Sequence, residues 1–235
     1  MPLAASRGAI SYMGGGGAGA NTVQSLTYQA SAESSTSGTY TITIPAGSQT
    51  GDIAFLFDRI NTQTTTNTTP TGWTNITTYN SPGTHKWTLS YKILVSGDAG
   101  SSITGQSAST TVAHRKLMLV YRPNWSIGTV TIGDLAQDAT SSGTSVPDQT
   151  LSMTSLVEPG IGFAFYAFGT TGTLTRGSTV STDGQGTVQE YTQGSVLYVK
   201  TFVWDSNDSA GDSTISIAAA SAQQMGLFTF YAQLT

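Results

Sequence analysis

The chain of 235 residues contains no cysteine, which excludes disulfides, thiolate metal sites and thiol nucleophiles. Charge is scarce. Only 9% of residues are charged, against roughly 25% in ordinary soluble domains. Nine cations face thirteen acids for a net charge of -4, and no Lys/Arg stripe exists, so the electrostatic footprint of a nucleic-acid binder is missing. Two histidines, His85 and His114, are the whole imidazole complement. No carboxylates stand near them at ligand spacing, so no metal or other cofactor is expected and both are assigned to the surface. No run approaches the roughly 20 apolar residues that span a bilayer. The first residues hold one cation, Arg7, and no apolar core, so a secretory signal is not expected.

Helical periodicity is lacking as well. Ser, Thr, Gly and Asn are abundant, yet 37% of the chain is hydrophobic, and the apolar residues come in discrete runs rather than in the sparse pattern of disorder. Thr suits a solvent-facing sheet because its branched Cβ fits the pleat while its hydroxyl meets water. From Val23 onward, short runs of strand character alternate with polar turns such as Ser34–Gly38 and Ser96–Gly100. Candidate strands cover Val23–Ala30, Thr39–Ile44, Ile53–Asp58, Thr74–Tyr79, Trp87–Val95, Ser102–Gln106, Lys116–Tyr121 and Thr129–Ile132. They continue with Thr150–Met153, Ile161–Phe168, Gly172–Arg176, Val188–Tyr191, Leu197–Trp204, Thr214–Ala218 and Gly226–Leu234. Such spacing predicts an all-β, jelly-roll-like β-sandwich.

The pattern repeats itself. Gly51–Phe57 is echoed by Gly160–Tyr166, Trp87–Val95 by Leu197–Trp204, and Lys116–Tyr121 by Gly226–Tyr231. The offset is far too long for a solenoid repeat, so the expectation is one domain over 22–235 built from two pseudo-repeated halves, about 22–135 and 136–235. The run Ile53–Phe57, entered through Pro45, Gly47 and Gly51, is read as a central buried strand.

Residues 1–21 read differently. Four consecutive glycines, Gly14–Gly17, are costly to order, so the segment is either a disordered tail or a hinged arm docking Leu3, Ile10, Tyr12 and Met13 on a neighbouring subunit. No Lys-Ser/Thr follows the glycines, which excludes a phosphate loop.

Signals for chemistry are few. There is no Gly-x-Ser-x-Gly elbow, and acids such as Asp52 and Asp58, or Glu158 and Glu190, carry no glycosidase motif. The loop Asp205–Asp212 alternates carboxylates and an amide around Gly211 but lacks the register of a calcium loop, and hairpin turns use the same residues. Of the four tryptophans, Trp87 and Trp204 lie in apolar strands and are expected in the core. Trp73, after Pro70-Thr71-Gly72, and Trp125, after Pro123-Asn124, are the candidates for exposed stacking on a sugar. Asn67, Asn75, Asn124 and Asn207 stand in Asn-x-Ser/Thr triplets, which this composition produces by chance.

The order Ile-Pro-Ala-Gly (44–47), Gly-Asp-Ile-Ala-Phe-Leu (51–56), Pro-Thr-Gly-Trp (70–73), Tyr-Lys-Ile (91–93), Gly-Asp (97–98) and Ser-Ile-Thr (102–104) resembles β-rich virion structural proteins of tailed bacteriophages, of the tail, fibre and head-decoration type. The likeness covers roughly residues 40–121, with a weaker echo toward the C-terminus. It implies a non-enzymatic virion subunit, assembled in the host cytoplasm and homo-oligomeric, with a trimer as the commonest fibre state. The N-terminal arm is not part of that pattern, but its Gly hinge suits anchoring to other virion proteins, and contact with a host-surface glycan is one option for a displayed subunit. No catalytic residue, nucleic acid or membrane comes with it. The alternative is a carbohydrate-binding or adhesin sandwich.

Overall fold

Alternation along the Ile53 run sets the architecture. In a strand, successive side chains point to opposite faces, and every residue from Ile53 to Ile60 is buried. Such a strand must be covered on both sides. In the computed structural model, which describes residues 23–34, 41–61, 67–80, 85–104, 114–152, 156, 158–168, 174–180, 188–193, 197–205 and 212–235, it is.

The first half contributes β1 (Leu26–Ser34), β2 (Thr41–Thr43), β3 (Ile53–Ile60), β4 (Thr74–Asn80), β5 (Lys86–Ile93), β6 (Ser102–Thr104) and β7 (His114–Pro123). The second contributes β8 (Val130–Leu151), β9 (Gly160–Phe168), β10 (Leu174–Val180), β11 (Val188–Gln193), β12 (Leu197–Trp204) and β13 (Ser213–Leu234). The first sheet runs β1-β7-β3-β5-β4. In the second, β13 is flanked by β8 on one side and by β9 and β10 on the other, and the sheet continues through β12 to β11. The path β8-β13-β9-β12-β11 therefore has the same strand order as the first sheet, and the sequence echoes fall on β3 and β9, β5 and β12, and β7 and β13. All pairings are antiparallel.

The sheets meet through their inner faces. Phe55 lies 4.6 Å from Phe163 and Phe57 5.5 Å from Phe165, centroid to centroid. Phe163 stacks on Phe230 at 4.8 Å, and Trp87 meets Phe228 edge-on at 4.8 Å. Gly226 makes room for that tryptophan, since a Cβ there would run into its ring carbon Cη2. Among the described residues a polar bridge crosses the core, from Tyr121 Oη to Thr201 Oγ1 at 3.0 Å.

Both outer faces are covered as well. Ala54, Leu56, Met118 and Val120 pack with Ile42 of β2, Ile103 of β6, Trp73 and Leu94. On the second sheet, Ala164, Tyr166, Phe202 and Leu227 pack with Val146 and Leu151 at the end of β8 and Ile215 and Ile217 at the start of β13. The two caps correspond: β2 pairs with β6, and the end of β8 pairs with the start of β13.

Three expectations change. The division at 135/136 falls inside β8, and the chain passes from one sheet to the other over residues 124–129 instead. Each sheet takes its strands from one half of the chain, whereas a jelly roll interlaces its two sheets; among the described residues no such interlacing occurs. The separate strands 129–132 and 150–153 merge into β8, and 214–218 and 226–234 into β13, with register shifts where the ribbon bends over the sheet. The arm residues Leu3, Ile10, Tyr12 and Met13 lie outside the described residues, as do 206–211 of the Asp205–Asp212 loop and the Glu190 side chain.

Candidate functional site

Two turns of the same design occupy one end of the first sheet. In Gln49–Asp52 and in Val95–Asp98, the fourth residue's amide donates to the first carbonyl at 3.1 Å. The third residue is a glycine with φ of 93° at Gly51 and 89° at Gly97, the positive φ that a type II turn requires. The aspartate then folds back to accept the first residue's amide, at 2.8 Å for Asp52 and 2.7 Å for Asp98. Each carboxylate also holds a cation. Arg122 grips Asp52 in a bidentate pair at 2.8 and 2.9 Å, and Lys92 reaches Asp98 at 2.7 Å.

A tryptophan stands beside each pair. Trp125 joins Gln49, Asp52 and Arg122 in lining a half-open cavity of about 220 Å³. Trp125 is itself half-buried, with its Nε1 shielded and without a hydrogen-bond partner among the described residues. Trp73 joins Lys92 and Asp98 around a cavity of about 310 Å³, but it is only 9% exposed and packs into the outer-face cluster. Its expected role as an exposed stacking residue is therefore corrected to a core role: the turn Pro70–Trp73, closed by a 3.0 Å hydrogen bond, directs the indole inward. Trp87 and Trp204 are buried, each 1% exposed.

The opposite end of the same sheet collects buried polar groups. Cross-strand register puts Lys86, Ile60 and His114 in one row, Trp87, Arg59 and Arg115 in the next, and Thr88, Asp58 and Lys116 in the third. His85 and His114, expected at the surface, are 5% and 0% exposed. The correction has a physical cause: His85 leads into β5 and His114 opens β7, and these largely buried strands carry both rings in with them. Burial next to Arg59 lowers His85 to about 3, against an opposing hydrogen bond with Gln224. Burial alone lowers His114 to about 4. Arg59 Nη2 contacts His85 Nε2, and burial with the nearby Arg115 lowers its guanidinium to about 9.

The third row is the most unusual. Lys116 Nζ lies 3.5 Å from Asp58 Oδ2, and both side chains are almost wholly buried. Asn67 donates from Nδ2 to the same Oδ2 and to Thr88 Oγ1, each at 3.1 Å. Burial raises Asp58 to about 8, partly offset by the Asn67 hydrogen bond, and lowers Lys116 to about 6. The pair therefore holds one proton between two groups that the interior prefers uncharged. Reading the sequence for motifs passed over it. The available signal was a charged residue interrupting an apolar strand, Asp58 after Phe57 and Lys116 before Leu117.

Among the described residues no three potential metal ligands come together, and no helix is long and apolar enough to cross a membrane. No family model matches the chain, and neither a curated protein nor a solved structure matches it.

Proposed function

We propose that the protein is a structural subunit of a tailed-bacteriophage virion: a homo-oligomeric tail, fibre or capsid-decoration component, without enzymatic activity, displayed on the particle. The observation that carries the reading is the distribution of its residues. Apolar side chains are spent on three stacked layers, between the sheets and over both outer faces, while the exposed strands β2 and β4 present Thr and Asn rather than charge. This is a rigid, weakly charged body suited to repetition in a symmetric assembly. The resemblance over residues 40–121 supports the same reading. Immunogold labelling of particles with an antibody to this chain tests it. Regular decoration at a tail, fibre or capsid position is the expected result, and unlabelled particles together with a strictly monomeric protein in light scattering would overturn it.

A glycan-contacting role is favoured by one specific feature, the Trp125 cavity. An indole face beside a fixed carboxylate–guanidinium pair offers the apolar and polar halves of a sugar-binding surface. Glycan-array binding lost in Trp125→Ala, with folding intact, is the outcome that reading requires.

A further inference from the structure

We propose that Lys116 and Asn67 join in a spontaneous intramolecular isopeptide bond, Nζ to Cγ, with Asp58 as the proton shuttle. The reactants are already assembled. The Lys116 ammonium nitrogen and the Asn67 amide both lie within 3.5 Å of one oxygen, Asp58 Oδ2. Lys116 is 0%, Asp58 3% and Asn67 7% exposed, so water has little access to compete as the nucleophile.

Each group carries the protonation state the step needs. Burial lowers Lys116 to about 6, leaving a neutral amine with a free lone pair, and raises Asp58 to about 8, leaving an acid able to donate. Asn67 Oδ1 is buried without a partner, while its Nδ2 faces Asp58 and Thr88. Rotation of the amide about its last bond exchanges the two atoms. It then aims Oδ1 at two hydroxyls, the protonated Asp58 carboxyl and Thr88 Oγ1, which together stabilise the negative charge that develops on the carbonyl oxygen.

The chemistry balances without cofactor or oxidant. The Lys116 Nζ lone pair attacks Asn67 Cγ and forms the new C–N bond as Asp58 gives its proton to the carbonyl oxygen. Asp58 takes a proton from the attacking nitrogen and passes it to Nδ2. The Cγ–Nδ2 bond then breaks, ammonia leaves, and the oxygen's proton returns to Asp58 as the carbonyl re-forms. The product ties the segment between β3 and β4 to β7, the strand beside the central β3. In a chain without cysteine, it constrains the unfolded state as a disulfide would.

The test is the intact mass of the full-length protein under denaturing conditions, beside Lys116→Arg and Asp58→Asn prepared identically. The wild type is expected to be lighter than its sequence by one ammonia, and both variants to show their full masses. Fragmentation of the wild-type digest should give one branched peptide containing residues 67 and 116. Asn67→Asp should lose water instead and finish at the wild-type mass. Circular dichroism verifies that the variants fold, and the wild-type mass stands even where one does not. A wild type at full mass with both peptides unlinked overturns the proposal. So does the loss of one water, which would place the bond on Asp58 itself, and so does a folded Asp58→Asn that still loses ammonia.

Discussion

The two sheets offer the same strand order with different occupants in comparable rows of their outer faces. On the first, Asp58 of β3 stands in register with Lys116 on β7 and Thr88 on β5. On the second, Tyr166 of β9 stands in register with Leu227 on β13 and Tyr198 on β12. Both rows lie on the outer face, and Tyr166 and Leu227 sit inside the apolar cluster there. The fold thus has an apolar solution for this position and uses it once. Burying an acid and an amine there instead costs their desolvation, which holding both uncharged relieves only in part. The charged row in the first sheet is therefore not an architectural requirement, which is why its chemistry, rather than its contribution to stability, is the informative property.

The largest expected effect lies between the sheets, where the two halves are alike. Phe55 packs against its counterpart Phe163, and Phe55→Asp would bury a carboxylate among aromatic rings with no partner. Loss of soluble, cooperatively folded protein is expected; a folded Phe55→Asp in urea titration would show that β3 is not central. Next comes the charged row itself. Against the folded, unlinked Asp58→Asn protein, Lys116→Met combined with Asp58→Leu copies the apolar row of the second sheet and should be neutral or more stable by about 1–4 kcal/mol. Leu227→Lys, the reverse graft, should destabilise by about 3–5 kcal/mol because its cation has no acid in the row. Equal effects of the two grafts would erase the contrast between the sheets.

Much of this fold was readable from alternation. Ile53–Phe57, Ile161–Phe165 and Leu117–Tyr121 carry unbroken apolar runs because they are covered on both faces, and their echoes mark corresponding strands. The long ribbon of β8 and β13 was not readable, because Ser, Gly and Ala in 140–145 and 218–222 resemble turn residues whether the backbone turns or merely bends. Trp73 was misplaced for a related reason: Pro-Thr-Gly announces a turn but not the direction in which the next side chain leaves it. The histidines were misplaced because a count of ligand spacings says nothing about burial. Asp58, Asn67 and Lys116 are far apart in sequence, and only cross-strand register joins them.

That register also fixes the pH response. The described histidines both belong to the first sheet, and both have folded values below the ordinary 6.5, about 3 for His85 and about 4 for His114. The unfolded chain binds protons below about 6.5 that the folded chain refuses, so stability falls as pH drops from about 6.5 toward 3. In unlinked protein, Asp58 raised to about 8 loses stability as pH climbs from 3.8, and Lys116 lowered to about 6 loses it as pH falls from 10.5. Between about pH 6 and 8 the folded and unfolded pair each hold one proton and these terms cancel. Below about 6 the folded pair holds one proton more than the unfolded pair, which opposes the fall but does not outweigh the two histidines that set the acid limb. His85→Gln should flatten the fall in Tm between pH 6.5 and 4. An unchanged acid limb would mean that the Arg59 end of the first sheet opens before His85 titrates.

The smallest effect, at the other end of the sheet, is that of Trp125→Ala read against Trp73→Ala, and the contrast separates packing from contact. Trp73 is buried in the outer-face cluster, so Trp73→Ala should cost about 3–5 kcal/mol, as large-to-small core substitutions do. Trp125 is half-buried at the rim of its cavity and rests only partly on the inner core. Trp125→Ala removes less packed surface, and the Arg122–Asp52 pair beside it stays closed through its own two hydrogen bonds. Its cost should stay below about 2 kcal/mol, since area lost at a rim is only a fraction of a full side-chain burial. Chemical denaturation of the two variants side by side ranks them. A Trp125→Ala as damaging as Trp73→Ala would make both indoles architectural and remove the cavity from consideration as a contact surface. The expected ranking leaves Trp125 as the aromatic whose loss can be read in binding rather than in folding.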